Sequence, residues 1–289
     1  MNDQETAAKT AGPQQAPAAG QLPVDAEGQQ LRISAFFPAY NDAGTIPSVV
    51  IAAAQTLARI TPEFEIIVVD DGSQDATGDV LAELTRLYPD RLRVVKHAAN
   101  RGYGGALKTG IASARYQWVF YTDGDGQYDV RELALLAPLA GPGVDVVNGY
   151  KISRSDPLYR KIIGAVYNRV VRVAFRVRIR DVDCDFRLMR RELFDRIELH
   201  SVSGTICVEM VKRLQDVGCR FVEVPVHHYH RSLGRSQFFR PRWLFKTFFD
   251  LLKLWRELML ASGDRRDSRV KTAADAASGK EAPQLSHPE

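Results

Sequence analysis

From Leu31 onward the chain alternates short apolar runs that stop at polar residues with longer stretches whose apolar positions fall three or four apart. Leu31 to Phe37 reads as a strand, closed by Pro38-Ala39-Tyr40-Asn41-Asp42. A helix is expected from about Ile46 to Ile60. A second strand, Phe64 to Val69, then ends in Asp70-Asp71-Gly72-Ser73. Asp75 or Thr77 can cap a helix that runs to about Tyr88. Leu92 to Lys96 is a third strand, followed by the loop Asn100-Arg101-Gly102-Tyr103-Gly104-Gly105 and a helix reaching Ala114. Trp118 to Tyr121 is the fourth strand. Such alternation with short loops predicts an α/β fold, an open and mostly parallel sheet covered by helices on both faces.

In sheets of this kind ligands bind beyond the carboxyl ends of the strands. Here those ends carry Asn41-Asp42, Asp70-Asp71, Asn100-Arg101 and Asp123-Gly124-Asp125. Polar residues at four successive strand ends predict a site on that edge.

The sharpest chemistry is Asp123-x-Asp125, followed at the same spacing by Gln127. Alternation in extended backbone points the two carboxylates the same way, and such a pair repels itself unless a cation sits between the oxygens. Oxygen donors suit Mg²⁺ or Mn²⁺. An EF-hand loop would need Gly and Glu where Tyr128 and Ala134 stand. The glycine loop is no dinucleotide fingerprint, because it follows the third strand and Leu107 occupies the last glycine position. Lys108 lacks the glycines of a Walker motif. Asp70 and Asp71 would repel bare phosphate, but they are good acceptors for base N–H groups or ribose hydroxyls. A nucleotide with its base near Asp70 and its diphosphate on a metal at Asp123 and Asp125 fits this arrangement, with Gly102 to Gly105 allowing close backbone approach.

Length and composition refine the picture. The 289 residues are 45% hydrophobic and 26% charged, enough for one substantial core. Residues 1–30 and 263–289 are polar and small, and are expected as disordered tails with no secretory signal. Three cysteines, Cys184, Cys207 and Cys219, have no metal spacing and fit reduced thiols in a cytoplasmic protein. Net charge is only +4, yet the segment from Lys151 to Arg191 is strongly basic. That excess suits a phosphate-bearing partner or an anionic membrane surface. No helix-turn-helix, zinc-finger or RNA-binding aromatic signature accompanies it, so nucleic acid is not expected as a partner.

Five motifs in order resemble the family 2 glycosyltransferases, in particular the branch that uses dolichyl or polyprenyl phosphate. They are Pro38 to Asp42, Val69 to Thr77, Asn100 to Gly110, Asp123 to Gln127, and Asp181 to Arg187. The resemblance spans roughly residues 33–238. It implies a GT-A fold, a nucleotide-half at 31–130, an acceptor half at 131–240, and a nucleotide-sugar donor held through Mg²⁺ or Mn²⁺. It assigns Pro38, Tyr40, Asp42, Asp70, Asp71, Lys108 and Asp123 to the donor, and Asp123, Asp125 and Gln127 to the metal. Asp42 stands where relatives carry Glu, one methylene shorter. Lys151 would stand in for a phosphate-binding Arg, and Arg187 and Ser236 would also face acceptor or phosphate. Arg231, with Asp125, would serve catalysis on the departing diphosphate. If the acceptor is a lipid phosphate, its oxygen is already anionic and needs no base. Should it be a hydroxyl, Glu209 is the candidate base.

The resemblance thus implies an inverting hexosyltransferase, with a polyprenyl phosphate as the expected acceptor at the cytoplasmic membrane face. A soluble or cell-envelope hydroxyl acceptor, and a non-catalytic nucleotide-sugar-binding module, stay open as alternatives. Oligomeric state stays open too. No run of about 20 apolar residues predicts a transmembrane helix. Instead residues 241–262 read as an amphipathic helix, basic residues alternating with Trp243, Phe248, Phe249 and Trp255. This pattern suits either the membrane interface or packing on the domain.

Overall fold

The computed structural model describes residues 30–154, 158–230 and 241–260. Apart from residue 30, both expected tails lie outside this range, as do Arg231, Ser236 and residues 261–262 of the expected amphipathic helix. Seven strands form one sheet: β1 (Ile33–Ala39), β2 (Phe64–Asp70), β3 (Leu92–Lys96), β4 (Trp118–Thr122), β5 (Val146–Arg154), β6 (Phe186–Arg190) and β7 (Phe221–His228). Their order is β3-β2-β1-β4-β6-β5-β7. Only β6 runs against the rest, pairing antiparallel with β4 and β5. The carboxyl ends of the other six strands therefore share one edge.

The helices are α1 (Ile46–Ile60), α2 (Thr77–Leu87), α3 (Tyr103–Ser113), the short α4 (Leu133–Leu136), α5 (Leu158–Ala174), α6 (Ile206–Asp216) and α7 (Pro241–Trp255). The central strands are apolar at successive positions because both faces are covered. Ile33, Ala35 and Phe37 join the cluster beneath α1 and α2, while Phe36, Ile67, Val69 and Tyr121 join the cluster beneath α3 and α6. Gly110 lets α3 sit directly on β1, since a Cβ there would meet the Phe36 ring. Leu107 is fully buried in the same layer, a contribution of about 1.5–3 kcal/mol. That explains an apolar residue where a phosphate loop would need glycine.

β1 continues two residues past its expected end, through Pro38. Pairing with β4 stops at Phe36, so the missing proline N–H breaks no bond of that ladder, while pairing with β2 continues to Ala39. The N-cap of α2 is Ala76, which makes no side-chain capping bond; Asp75, one residue earlier, accepts from Thr77 N (2.9 Å). A third apolar cluster joins α5, α6 and α7 through Val171, Phe175, Val208, Val211, Leu254 and Leu258. The Trp255 indole donates to Ala174 O (2.9 Å). One face of α7 thus packs on the domain, while Phe248 and Phe249 stay exposed. Among the described residues no helix is long and apolar enough to cross a membrane.

Candidate active site

The chain leaves β1 for β2 and β3 on one side, then returns to place β4 on the other. This makes the carboxyl ends of β1 and β4 a topological switch point, where such sheets open a crevice. Residues expected at the site line both sides of it.

On the β2 and β3 side, a cavity of about 660 Å³ is lined by Tyr40, Gly72, Ser73, Gln74, Lys96 and His97 together with residues 98–100. Gly72 has φ of +75°, and a Cβ there would come within 2.8 Å of Asn100 N, so only glycine fits the turn. Asp70 ends β2, and its Oδ1 accepts from Ser73 N (2.9 Å). Its Oδ2 is buried with no hydrogen-bond donor, and the nearest cation, Lys96 Nζ, is 3.9 Å away. A buried carboxylate oxygen without a donor is costly unless a ligand supplies one. Asp71 Oδ1 accepts from Arg101 N (2.8 Å) and from His97 Nδ1 (2.6 Å), and His97 Nε2 lies 2.9 Å from Thr109 Oγ1. His97 was not visible in the sequence as a site residue, since it follows the last residue of β3 and belongs to none of the motifs.

Asp42 curls back on its own turn, with Oδ2 accepting from Tyr40 N (3.0 Å) and its N–H donating to Thr77 Oγ1 (3.0 Å). Pro38 does not line the cavity. Its carbonyl accepts from Gly124 N (3.2 Å), which stitches the end of β1 to the turn holding Asp123 and Asp125.

On the β4 side, Asp123 Oδ1 accepts from Tyr103 OH (2.7 Å), and Asp125 Oδ1 accepts from Gln127 N (3.0 Å). The Gln127 side chain donates to Tyr229 O (3.1 Å), tying this turn to the end of β7. Burial, then the charges of Asp185 and Asp125, push the Asp123 carboxyl well above the usual range, against the help of Tyr103. Asp185 itself accepts from Tyr121 OH (3.2 Å) and the Cys207 thiol (3.0 Å). Two desolvated carboxylates with a third nearby form an oxygen-rich, negative pocket of the type that a hard divalent cation neutralises. Among the described residues no group of three or more His, Cys, Asp or Glu side chains could hold a metal ion by itself.

Several expected residues are placed elsewhere. Lys108 is not at the cavity; its Nζ donates to His200 O (3.3 Å) on the loop before α6. Lys151 Nζ donates to Asp183 O (2.6 Å), with its side chain nearly buried. Arg187 is fully buried in the middle of the sheet: Nε donates to Asn148 Oδ1 (2.6 Å), and the terminal nitrogens bond Tyr121 OH and Val182 O. Neither cation is a surface group waiting for phosphate. Glu209 is also fully buried, not an exposed helix residue. Burial alone would raise its pKa, but N–H donors from Ser201 and His200 and the Arg213 guanidinium hold it below the usual range. Its oxygens are occupied in anchoring the 200–201 loop.

The sequence pattern defining Glycosyl transferase family 2 matches residues 34–198, more than half of the chain and all of the strand ends just described through β6. The chain belongs to glycosyl transferase family 2. This glycosyltransferase, an enzyme acting on a nucleotide sugar, also shares its fold with solved structures. Glucosyl-3-phosphoglycerate synthase from Mycobacterium tuberculosis, bound to uridine diphosphate, is 18% identical over 78% of this chain and 80% of that one, with a TM-score of 0.59. The same synthase bound to Mn²⁺, uridine diphosphate and phosphoglyceric acid is 19% identical over 78% of both chains, with a TM-score of 0.55. Mannosyl-3-phosphoglycerate synthase from Rubrobacter xylanophilus is 20% identical over 81% and 75% of the two chains, with a TM-score of 0.60. At these identities the likeness concerns the fold, and it agrees with the expected GT-A architecture.

Proposed function

We propose that this glycosyltransferase moves a hexose, with inversion, from a UDP- or GDP-linked donor to a polyprenyl phosphate at a membrane face. One observation carries the donor half. Asp70 Oδ2, buried with no hydrogen-bond donor, and the Asp123/Asp125 pair lie at the ends of β2 and β4, on either side of β1. In this reading Tyr40, Asp42, Asp70 and Asp71 hold the nucleoside. Asp123 and Asp125, joined by the Gln127 amide, would hold Mg²⁺ or Mn²⁺, the ions bound in the synthase structures of similar fold. When bound, the ion supplies positive charge where the leaving diphosphate develops negative charge. Arg231, assigned by the family resemblance, adds charge there. Tyr103 steadies Asp123 and Gln127 steadies Asp125 through the hydrogen bonds given above.

A lipid phosphate is already anionic near neutral pH, so its oxygen attacks without a general base. That agrees with Glu209 being occupied elsewhere. Lys151 and Arg187 then act from beneath, holding the acceptor-side loop 181–185 through Asp183 O and Val182 O. Apolar side chains exposed on α7 support a membrane-borne acceptor. Incubation with labelled UDP- and GDP-hexoses, in the presence of either polyprenyl phosphate or phosphoglyceric acid, tests the reading. Label in the organic extract is expected. Label only on phosphoglyceric acid would overturn the lipid acceptor and keep the transferase.

A further inference from the structure

The outer face of α5 has no partner among the described residues that accounts for its composition. The inner side of the helix, through Val171 and the following Phe175, belongs to the cluster with α6 and α7. On the other side Ile162, Ile163, Val166, Val170 and Val173 are 49–67% exposed. Ile162, Val166, Val170 and Val173 recur four, four and three residues apart, with Ile163 beside the first, which places them in one stripe along the helix. Single exposed apolar residues need no explanation, but a stripe of five does. The neighbouring α7 adds Phe248 and Phe249, both more than 60% exposed and in edge-to-face contact with each other. Trp255 clamps α7 to the last residue of α5.

Charge identifies the occupant. The 23 residues from Leu158 to Arg180 include seven Arg or Lys and no Asp or Glu. A second copy docked on α5 by two-fold symmetry would bring these like charges together with no acid on the helix to offset them. An anionic bilayer offers both an apolar interior for the stripe and negative headgroups for its basic surroundings. Topology places the surface usefully. α5 follows β5 and α7 follows β7, two strands whose carboxyl ends lie on the site edge.

We propose that α5 and α7 together form the face by which the enzyme docks on a leaflet rich in anionic lipid, with the aliphatic stripe of α5 entering the headgroup region beside Phe248 and Phe249. This deepens the polyprenyl-phosphate reading, for it names the surface that brings the site edge to a membrane-borne acceptor.

The test is flotation of the full chain with phosphatidylcholine vesicles, with and without phosphatidylglycerol. Wild type, Val166→Glu/Val170→Glu and Phe248→Glu/Phe249→Glu are compared at low and high salt, each checked for an unchanged melting temperature. Wild type should float with the phosphatidylglycerol vesicles and dissociate in salt, and each double variant should partition roughly tenfold less. Full flotation of Val166→Glu/Val170→Glu would overturn the role of α5. So would a wild type that stays soluble, or a light-scattering dimer that this variant splits into monomers. Transfer to polyprenyl phosphate in detergent is measured in parallel. Transfer without vesicle binding overturns the docking face and leaves the acceptor reading. Binding without transfer does the reverse.

Discussion

His97 braces Asp71 from behind. The imidazole Nδ1 donates to Asp71 Oδ1 at 2.6 Å while Nε2 meets Thr109 Oγ1 on α3 at 2.9 Å, and the same Asp71 oxygen accepts from Arg101 N. A carboxylate oxygen that already accepts from Arg101 N accepts here too, which places a proton on Nδ1. The end of β2, the end of β3 and α3 are thereby locked around one carboxylate. His97→Ala releases it and should weaken UDP or GDP binding by about 1.5 kcal/mol, roughly tenfold in the dissociation constant. Calorimetric titration checks this, and an unchanged constant for both nucleotides would remove His97 from the site.

Asp70→Ala should weaken nucleotide binding by about 1.5–3 kcal/mol, the loss of a hydrogen bond to a charged acceptor. Because Oδ2 has no hydrogen-bond donor to lose, the fold should survive, with the Ser73 N contact and the 3.9 Å ion pair to the exposed Lys96 given up. Affinity and melting temperature measured together separate the two effects.

Arg187 should prove structural. Arg187→Met leaves Asn148 Oδ1, Tyr121 OH and Val182 O without their buried donor, and nearby Asp185, 3.5 Å away, without its cation. Removing one side of such a buried network costs about 3–5 kcal/mol. Denaturant unfolding should show a lowered midpoint. A variant of normal stability with weakened acceptor binding alone would restore the phosphate-binding role.

Asp183 makes stability pH-dependent. Burial, opposed by Lys151 and reinforced by Asp181 and Asp185, raises its carboxyl pKa to about 7. The folded chain keeps a proton that an unfolded carboxyl loses near pH 4, so stability falls as pH rises between about 4 and 7. Asp183→Asn should therefore raise the melting temperature at about pH 8, by ~2–4 °C for each kcal/mol recovered. Below about pH 4 it should have little effect. Equal shifts at both pH values would contradict the assignment.

The nucleotide half of the fold was legible because each apolar run there stops at a polar cluster, and sheet topology then brings those clusters to one edge. Pro38 obscured the end of β1, since its tolerance depends on where β4 stops pairing. α5 was read only as a basic segment, although apolar residues recur at helical spacing between its arginines. In sequence Arg187 was expected to face acceptor or phosphate, and Glu209 was the candidate base. Both are buried by partners that include Asn148 and Tyr121, 39 and 66 positions away, for Arg187, and the loop before α6 for Glu209. His97 was hidden for the same reason, its partner Asp71 being 26 residues away.

The central claim is metal-dependent transfer from a nucleotide sugar at the Asp123/Asp125 turn. Its most direct test is the rate of nucleoside diphosphate release from UDP- and GDP-hexoses with the acceptor present, for wild type and Asp125→Ala. The rate is read in Mg²⁺ or Mn²⁺ and again in excess EDTA. The account predicts release by wild type with metal, loss on chelation that added metal reverses, and no release by Asp125→Ala even though it still binds nucleoside at Asp70. Undiminished release by wild type in excess EDTA, or by Asp125→Ala with metal, would contradict it.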